Sequence, residues 1–272
     1  MNALEKLNAA NANGNYVCIG LDTDLNRIPK HLLKEKNPVI EFNKQIIEAT
    51  KSTAAAYKIN LAFYECCGVE GLKNLENTLA IIPTNVLIIA DGKRGDIGNT
   101  SEMYAKSFFE HFKFDSATLN PFMGKDSLDP FLDFQEKLNF ILTLTSNPGS
   151  VDFQKEELKN GDKLFQYTIK KILEWNINSN CGIVFGATNL NELSNNLHLI
   201  NNLPILIPGI GVQGGNLNEL SKTLFESDKR TFLFNVSRGI IYKSIGEDFA
   251  EQAVNELDNL NRIIKANKTI NF

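Results

Sequence analysis

No stretch of this 272-residue chain approaches the roughly 18 consecutive apolar residues that a membrane-spanning helix requires. The opening residues, Met1-Asn2-Ala3-Leu4-Glu5-Lys6, carry no apolar core of the secretory kind, so a cytoplasmic protein is expected. Cysteine is scarce: Cys18, Cys66, Cys67 and Cys181 have neither metal-ligand nor redox spacing. In a reducing compartment the adjacent Cys66-Cys67 read as inert thiols. Asn99-Thr100-Ser101 matches a glycosylation sequon, which has no consequence without secretion. The three histidines, His31, His111 and His198, are scattered over predicted helices and loops, and none is placed as a metal ligand or general base. Trp175 reads as a helix-end residue of the same bland kind. Basic charge is not in excess either. The chain has 28 Lys and Arg against 32 Asp and Glu, a net charge of −4. Without a Lys/Arg block, general nucleic-acid binding is disfavoured, because the phosphate backbone is held mainly by such residues. An anionic ligand must instead be held by a few placed groups.

What is present is alternation. With 43% hydrophobic residues, the chain is long enough to bury a large core. Continuous apolar runs predict strands at Tyr16–Asp22, Ala54–Asn60, Val86–Lys93, Ala117–Pro121, Phe140–Ser146, Gly182–Gly186, Ile205–Gly209 and Phe232–Ser237. They do not alternate apolar with polar, as expected of parallel strands covered on both faces. Between them, helical periodicity predicts helices at Val39–Ser52, Thr100–Phe112, Asp126–Leu138, Asp162–Trp175, Leu190–Leu199, Asn216–Phe225 and Glu247–Lys265. The last carries Phe249, Val254, Leu257, Leu260 and Ile264 on its apolar stripe. About eight βα units without a linker between them predict a single-domain (β/α)8 TIM barrel over residues 1–272.

Active sites of such barrels lie at the C-terminal strand ends, and polar residues stand there: Asp22, Lys58 and Asn60, Asp91 and Lys93, Asn120, Ser146, Ser237 and Arg238. Loops begin at the same points, so one such residue means little; six strand ends converging on one rim mean more. The third strand is the most informative. In Val86-Leu87-Ile88-Ile89-Ala90-Asp91-Gly92-Lys93-Arg94-Gly95-Asp96-Ile97, side chains two apart share a side, which sends Asp91 and Lys93 into the barrel mouth. Asp96 is expected to return a second carboxylate toward the lysine. A structural salt bridge accounts for a lone Asp-x-Lys, but less readily for Asp-x-Lys-x-x-Asp at a buried strand end, where unpaired charge is costly.

Asp91-Gly92-Lys93-Arg94-Gly95-Asp96-Ile97-Gly98 resembles the signature of the orotidine 5′-phosphate decarboxylase family, in the wording of its longer, second subfamily. Gly20-Leu21-Asp22, Tyr57-Lys58-Ile59-Asn60, Thr145-Ser146-Asn147-Pro148-Gly149, Pro208–Gly215 and Ser237-Arg238-Gly239 extend the resemblance over almost the whole chain. It implies a cofactor-free, metal-free lyase that converts orotidine 5′-monophosphate to uridine 5′-monophosphate in de novo pyrimidine biosynthesis. Lys93 would stabilise and protonate the C6 carbanion, with two flanking carboxylates favouring its ammonium form. Asp91 would position Lys93 beside the departing carboxylate. Lys58 and Asp22 would contact the ribose, and Ser146 the pyrimidine edge. Asp96 and Thr100 would reach into the site of a partner, which implies a homodimer. The subfamily more often has Ala at Gly92, a change that reads as harmless because the side chain points away from the site. Tyr242 lies near the phosphate arginine, where the family places its tyrosine variably.

Gly209-Ile210-Gly211-Val212-Gln213-Gly214 has the G-x-G-x-x-G spacing of a dinucleotide fold. That fingerprint belongs on a first strand, whereas only one more strand follows here. A phosphate site is the better reading, with Gly209, Gly211, Gly214, Gln213 and Ser237 around the anion and Arg238 pairing with it. Three rivals stay open. A metal-dependent sugar-phosphate decarboxylase of the same superfamily would be sensitive to EDTA. A Schiff-base aldolase using Lys93 would be trapped by borohydride. A non-catalytic nucleotide-binding barrel would not turn over.

Overall fold

The computed structural model describes residues 1–211 and 214–269. Helix α1 (Ala3–Ala12) precedes β1 (Val17–Gly20). Then follow α2 (Pro38–Thr50), β2 (Ala56–Asn60), α3 (Ala62–Glu65), α4 (Gly68–Ile81), β3 (Leu87–Arg94), α5 (Gly98–Lys106) and β4 (Ser116–Leu119). The second half continues with α6 (Asp129–Leu132), β5 (Leu138–Leu144), α7 (Leu164–Trp175), β6 (Cys181–Phe185), α8 (Leu190–Ile200), β7 (Ile205–Pro208), α9 (Leu217–Glu226), β8 (Phe232–Val236), α10 (Arg238–Ile241) and α11 (Phe249–Thr269). The eight strands close in sequence order into a parallel barrel, β8 returning to β1 through Val17↔Phe234 and Cys18↔Asn235. Each expected strand is present; six lose one or two residues where the polar end turns into a loop, while β2 keeps Asn60 and β3 runs on to Arg94.

Period-two alternation divides each strand. One set of side chains faces the helices. The other fills the barrel with Cys18, Ala56, Ile89, Leu138, Phe140, Val184, Leu206 and Leu233. Ala3 and Leu7 of α1 belong to this inner cluster, and Ala3 N–H donates to Glu136 O at 2.9 Å. The first helix is therefore a stopper in the lower mouth, and burying Leu7 contributes about 2 kcal/mol. Its start is set by Asn2 and Glu5, which exchange side-chain and backbone hydrogen bonds in a capping box. With the lower end plugged, the upper mouth is the open end of the barrel axis.

Three helical expectations need correction. Asp126–Leu138 is not one helix: a 3-10 turn and the four-residue α6 replace it, and β5 begins at Leu138. Buried Leu128, Phe131 and Leu132 supplied the misleading period, but Asn178 and Asn180 take the Leu132 carbonyl at 3.0 and 2.9 Å and the helix ends there. The segment Thr100–Phe112 starts earlier, as α5, and passes into a π-helical turn at Ser107–His111. In α11 it is Ala253, not Val254, that is buried with Phe249, Leu257, Leu260 and Ile264.

Candidate active site

At the upper mouth the strand ends enclose an open cavity of about 480 Å³. Its charged wall begins with Lys58 on β2. The side chain is 5% exposed and donates to Asp91 Oδ2 at 2.6 Å, with Asp22 Oδ1 3.8 Å away on the other side. The other oxygen of Asp91, Oδ1, accepts from Lys93 Nζ at 2.6 Å and from Thr118 Oγ1 at 2.9 Å. The carboxylate thus receives three donors, two of them cationic. Burial alone would push its pKa up, but Lys58 and Lys93 hold it well below the ordinary carboxylate range. Burial would likewise lower Lys58, yet Asp91 and Asp22 outweigh it and keep that ammonium above its usual value. Directly beneath, burial raises the Cys18 thiol to about 12, leaving it neutral barrel filling.

Asp91 and Lys93 meet, but not through a regular pleat. The β3–β4 register jumps from Ala90↔Ala117 to Arg94↔Leu119, and Lys93 takes a left-handed backbone with φ +47°. This is a bulge of the kind that re-aims a side chain beside a site.

Across the cavity stands an apolar wall of Leu142, Val184, Leu206 and Ile210. Above it, the loop after β5 brings Thr145, Ser146, Asn147 and Gln154. Gln154 Oε1 accepts from Thr145 N–H at 2.7 Å, pinning that loop. Gly209, Ser237, Arg238 and Gly239 complete the lining, and Arg238, exposed, opens α10. Glycine at 209, 211 and 214 has φ of +102°, +77° and +91°, which L side chains rarely adopt. Three buried polar atoms around the cavity accept or donate no hydrogen bond among the described residues: Asp22 Oδ1, which meets Lys58 only as a 3.8 Å ion pair, Asn235 Oδ1 and Ser237 Oγ. Buried acceptors and hydroxyls are normally satisfied, and a polar ligand would supply what these three lack.

The structure therefore gathers Asp22, Lys58, Asp91, Lys93, Ser146, Gly209, Ser237 and Arg238 around one cavity. Asp96, Thr100, Gly211 and Gly214 do not line it, and Gln213 lies outside the described residues. The second carboxylate expected beside Lys93 is not delivered by this chain. Among the described residues no ion pair joins Asp96 to Lys93. Asp96 Oδ1 instead accepts its neighbour's Ile97 N–H at 2.8 Å, because the chain leaves the strand after Arg94 and turns to begin α5. Gly92 needs a second correction. A Cβ there points away from the cavity but lands 2.8 Å from Phe108 Cζ and 3.1 Å from Leu61 Cδ1, so alanine would require Phe108 to move. Tyr242 serves the fold: its hydroxyl accepts Asp24 N–H at 2.7 Å and its ring lies under Arg27. None of the histidines lines the cavity. No three His, Cys, Asp or Glu side chains among the described residues converge as a metal site.

Sequence reasoning missed Thr118, Asn147, Gln154 and Asn235, all of which line the cavity. One had a readable signal: Asn235 on β8 stands two residues before Ser237, which also lines the cavity, whereas Asn120, expected on the rim, lies past the end of β4 and does not line it.

Compared with known proteins, residues 15–253 match the Orotidine 5′-phosphate decarboxylase / HUMPS family. The chain belongs to this family. It is 47% identical over 244 residues to the orotidine 5′-phosphate decarboxylase of Phocaeicola vulgatus, covering 89% of each chain. The enzyme of that name from Christiangramia forsetii is 48% identical over 243 residues, 88% of each. Among solved structures, Leishmania donovani OMP decarboxylase superposes with a TM-score of 0.83 at 32% identity, covering 97% of this chain and 99% of that one. No helix among the described residues is long and apolar enough to cross a membrane.

Proposed function

We propose that this chain decarboxylates orotidine 5′-monophosphate to uridine 5′-monophosphate, a carbon–carbon lyase step of pyrimidine biosynthesis, without cofactor. The observation that carries the reading is the Lys58–Asp91–Lys93 array, two ion pairs of 2.6 Å at the mouth of a barrel of this family. Breaking the bond between C6 and the carboxylate leaves an electron pair on C6 as CO₂ departs. In this cofactor-free reading nothing else delocalises it, so fixed charge would have to stabilise it. In this reading Lys93 faces the reacting carbon, since its side chain is 47% exposed while Asp91 and Lys58 are buried behind it. Its ammonium supports the carbanion and then gives it the proton that replaces CO₂. Asp91 positions the ammonium. Lys58 and Asp22 hold the ribose, and Asp22 Oδ1 and Ser237 Oγ, which lack a hydrogen bond among the described residues, suit a ligand rich in hydroxyls. Ser146 reads the pyrimidine edge. Arg238, with the Gly209–Gly214 loop, takes the phosphate, and its binding energy is used away from the breaking bond.

The same reading makes the chain one barrel domain of the second subfamily, cytoplasmic, and active as a homodimer with shared sites. Asp96 and Thr100 then serve the neighbouring subunit. The exposure of Ile97, Met103, Phe122 and Met123, at 56%, 54%, 82% and 47%, supports a second copy covering this edge. A spectrophotometric decarboxylation assay in EDTA tests the function. Turnover unaffected by chelation is expected. Absence of turnover excludes the reading, and turnover abolished by EDTA and restored by Mg²⁺ favours the metal-dependent relative.

A further inference from the structure

Lys93 sits where the β3–β4 ladder is broken. Between the pairs Ala90↔Ala117 and Arg94↔Leu119, three residues of β3 face the single residue Thr118. A non-glycine residue at φ +47° persists only where its surroundings hold it, and the missing ladder cannot. The Thr118 side chain fills the gap. Lys93 N–H donates to Thr118 Oγ1 at 3.0 Å, and Thr118 Oγ1 donates to Asp91 Oδ1 at 2.9 Å. A hydroxyl has one hydrogen and spare lone pairs, so the order is set: main chain of Lys93, hydroxyl, carboxylate. The same Asp91 oxygen accepts from Lys93 Nζ at 2.6 Å. A closed ring results, in which the backbone and the ammonium of Lys93 are both referred to one oxygen atom. Thr118 is 2% exposed, so water has little room to replace it.

We propose that Thr118 is a positioning residue for Lys93. Its hydroxyl stands in for the absent strand hydrogen bond and holds the left-handed bulge that aims the ammonium. This rests on Lys93 being the proton donor of the decarboxylation. Thr118→Val keeps shape and volume but can neither accept from Lys93 N–H nor donate to Asp91; Thr118→Ser keeps both bonds. A misplacement on the order of 1 Å at a reacting group costs about 10²-fold in rate. For T118V we therefore expect kcat lower by about 10²-fold, KM and uridine 5′-monophosphate affinity within about threefold, and T118S within about fivefold of the wild type. If T118V does not fold, T118A replaces it with the same expectation. A wild-type chain without turnover overturns the reading beneath the inference. With an active wild type, the role of Thr118 alone is overturned by T118V or T118A retaining kcat within about threefold. It is equally overturned by T118S losing as much as T118V, or by nucleotide affinity falling in step with kcat.

Discussion

Replacing Asp91 by asparagine is the sharpest perturbation of the site, because it keeps the shape of the hub and removes its charge. Lys58 would lose its 2.6 Å partner and keep only Asp22 at 3.8 Å, with its side chain 5% exposed. Removing one member of a buried pair strands the other, at a cost of about 3–5 kcal/mol. For a chain of this size that lowers Tm by roughly 10 °C. The pH dependence has a definite sign. Asp91 is depressed in the folded state, so its contribution is present above the unfolded carboxylate value of about 3.9 and fades as pH falls through the lower folded value. Lys58 is raised, so its contribution is full below the unfolded value of about 10.4 and fades as pH rises through the folded one. In D91N burial wins at Lys58, so raising the pH relieves the variant. The gap between wild type and D91N should be widest from about pH 5 to 8 and should shrink toward both extremes. Thermal denaturation followed by circular dichroism from pH 3 to 10 measures it. A D91N chain as stable as the wild type at pH 7, or a gap that does not narrow in acid, would refute the account of Asp91 as a compensated hub.

Lys93→Ala should retain uridine 5′-monophosphate binding by calorimetry while losing turnover; residual activity above a few per cent rejects Lys93 as the proton source. Arg238→Ala should raise KM and lower kcat/KM by about 2–4 kcal/mol. Binding of uridine, which lacks the phosphate, should be the same in R238A and wild type, and an equal loss for both ligands would remove the phosphate assignment. If sites are shared across a dimer, mixing inactive Lys93→Ala with inactive Asp96→Ala chains restores one intact site per mixed dimer. At equal amounts that gives about a quarter of wild-type activity, and no recovery after subunit exchange argues against a shared site.

The barrel was legible because its strands are written as apolar runs with polar ends. Elements stabilised by polar or small contacts were not. Helix α4 with its C-cap carries Leu75, Leu79 and Ile82 at helical spacing against the core. It also buries Gly71, Asn74 and Thr78, held by hydrogen bonds from Asn43 to Thr78 and from Asn37 to Asn74, and this polar and small portion blurs the pattern. Helix α1 was not expected either: its stripe is weak, and only the structure reveals the Asn2–Glu5 capping box that sets its start. In the site, alternation along β3 brought Asp91 and Lys93 together on paper for an incomplete reason. Pairing within two residues was readable; the bulge at Lys93 lies in β3, where Gly92 is its sequence mark, but the Thr118 hydroxyl that holds it comes from β4. Asp96 shows the opposite limit, since its spacing suggests a neighbour of Lys93 that the folded chain does not provide.

The saturation of Asp91 bears on the direction of proton flow. Both of its oxygens are engaged, Oδ2 by Lys58 and Oδ1 by Lys93 and Thr118, and the carboxyl is held far down its titration range. Such a carboxylate is a strong partner for an ammonium but a poor destination for its proton. In the proposed reaction Asp91 is therefore not the acceptor of the Lys93 proton. Only a centre far more basic than a carboxylate can draw it away, and a vinyl-type carbanion at C6 is such a centre. In that reaction Asp91 would lose one cationic partner once CO₂ has left, with Lys58 remaining to compensate it. On that reading Lys58 has a purpose beyond holding the ribose: it would keep Asp91 ionised while Lys93 is neutral, until solvent returns the proton.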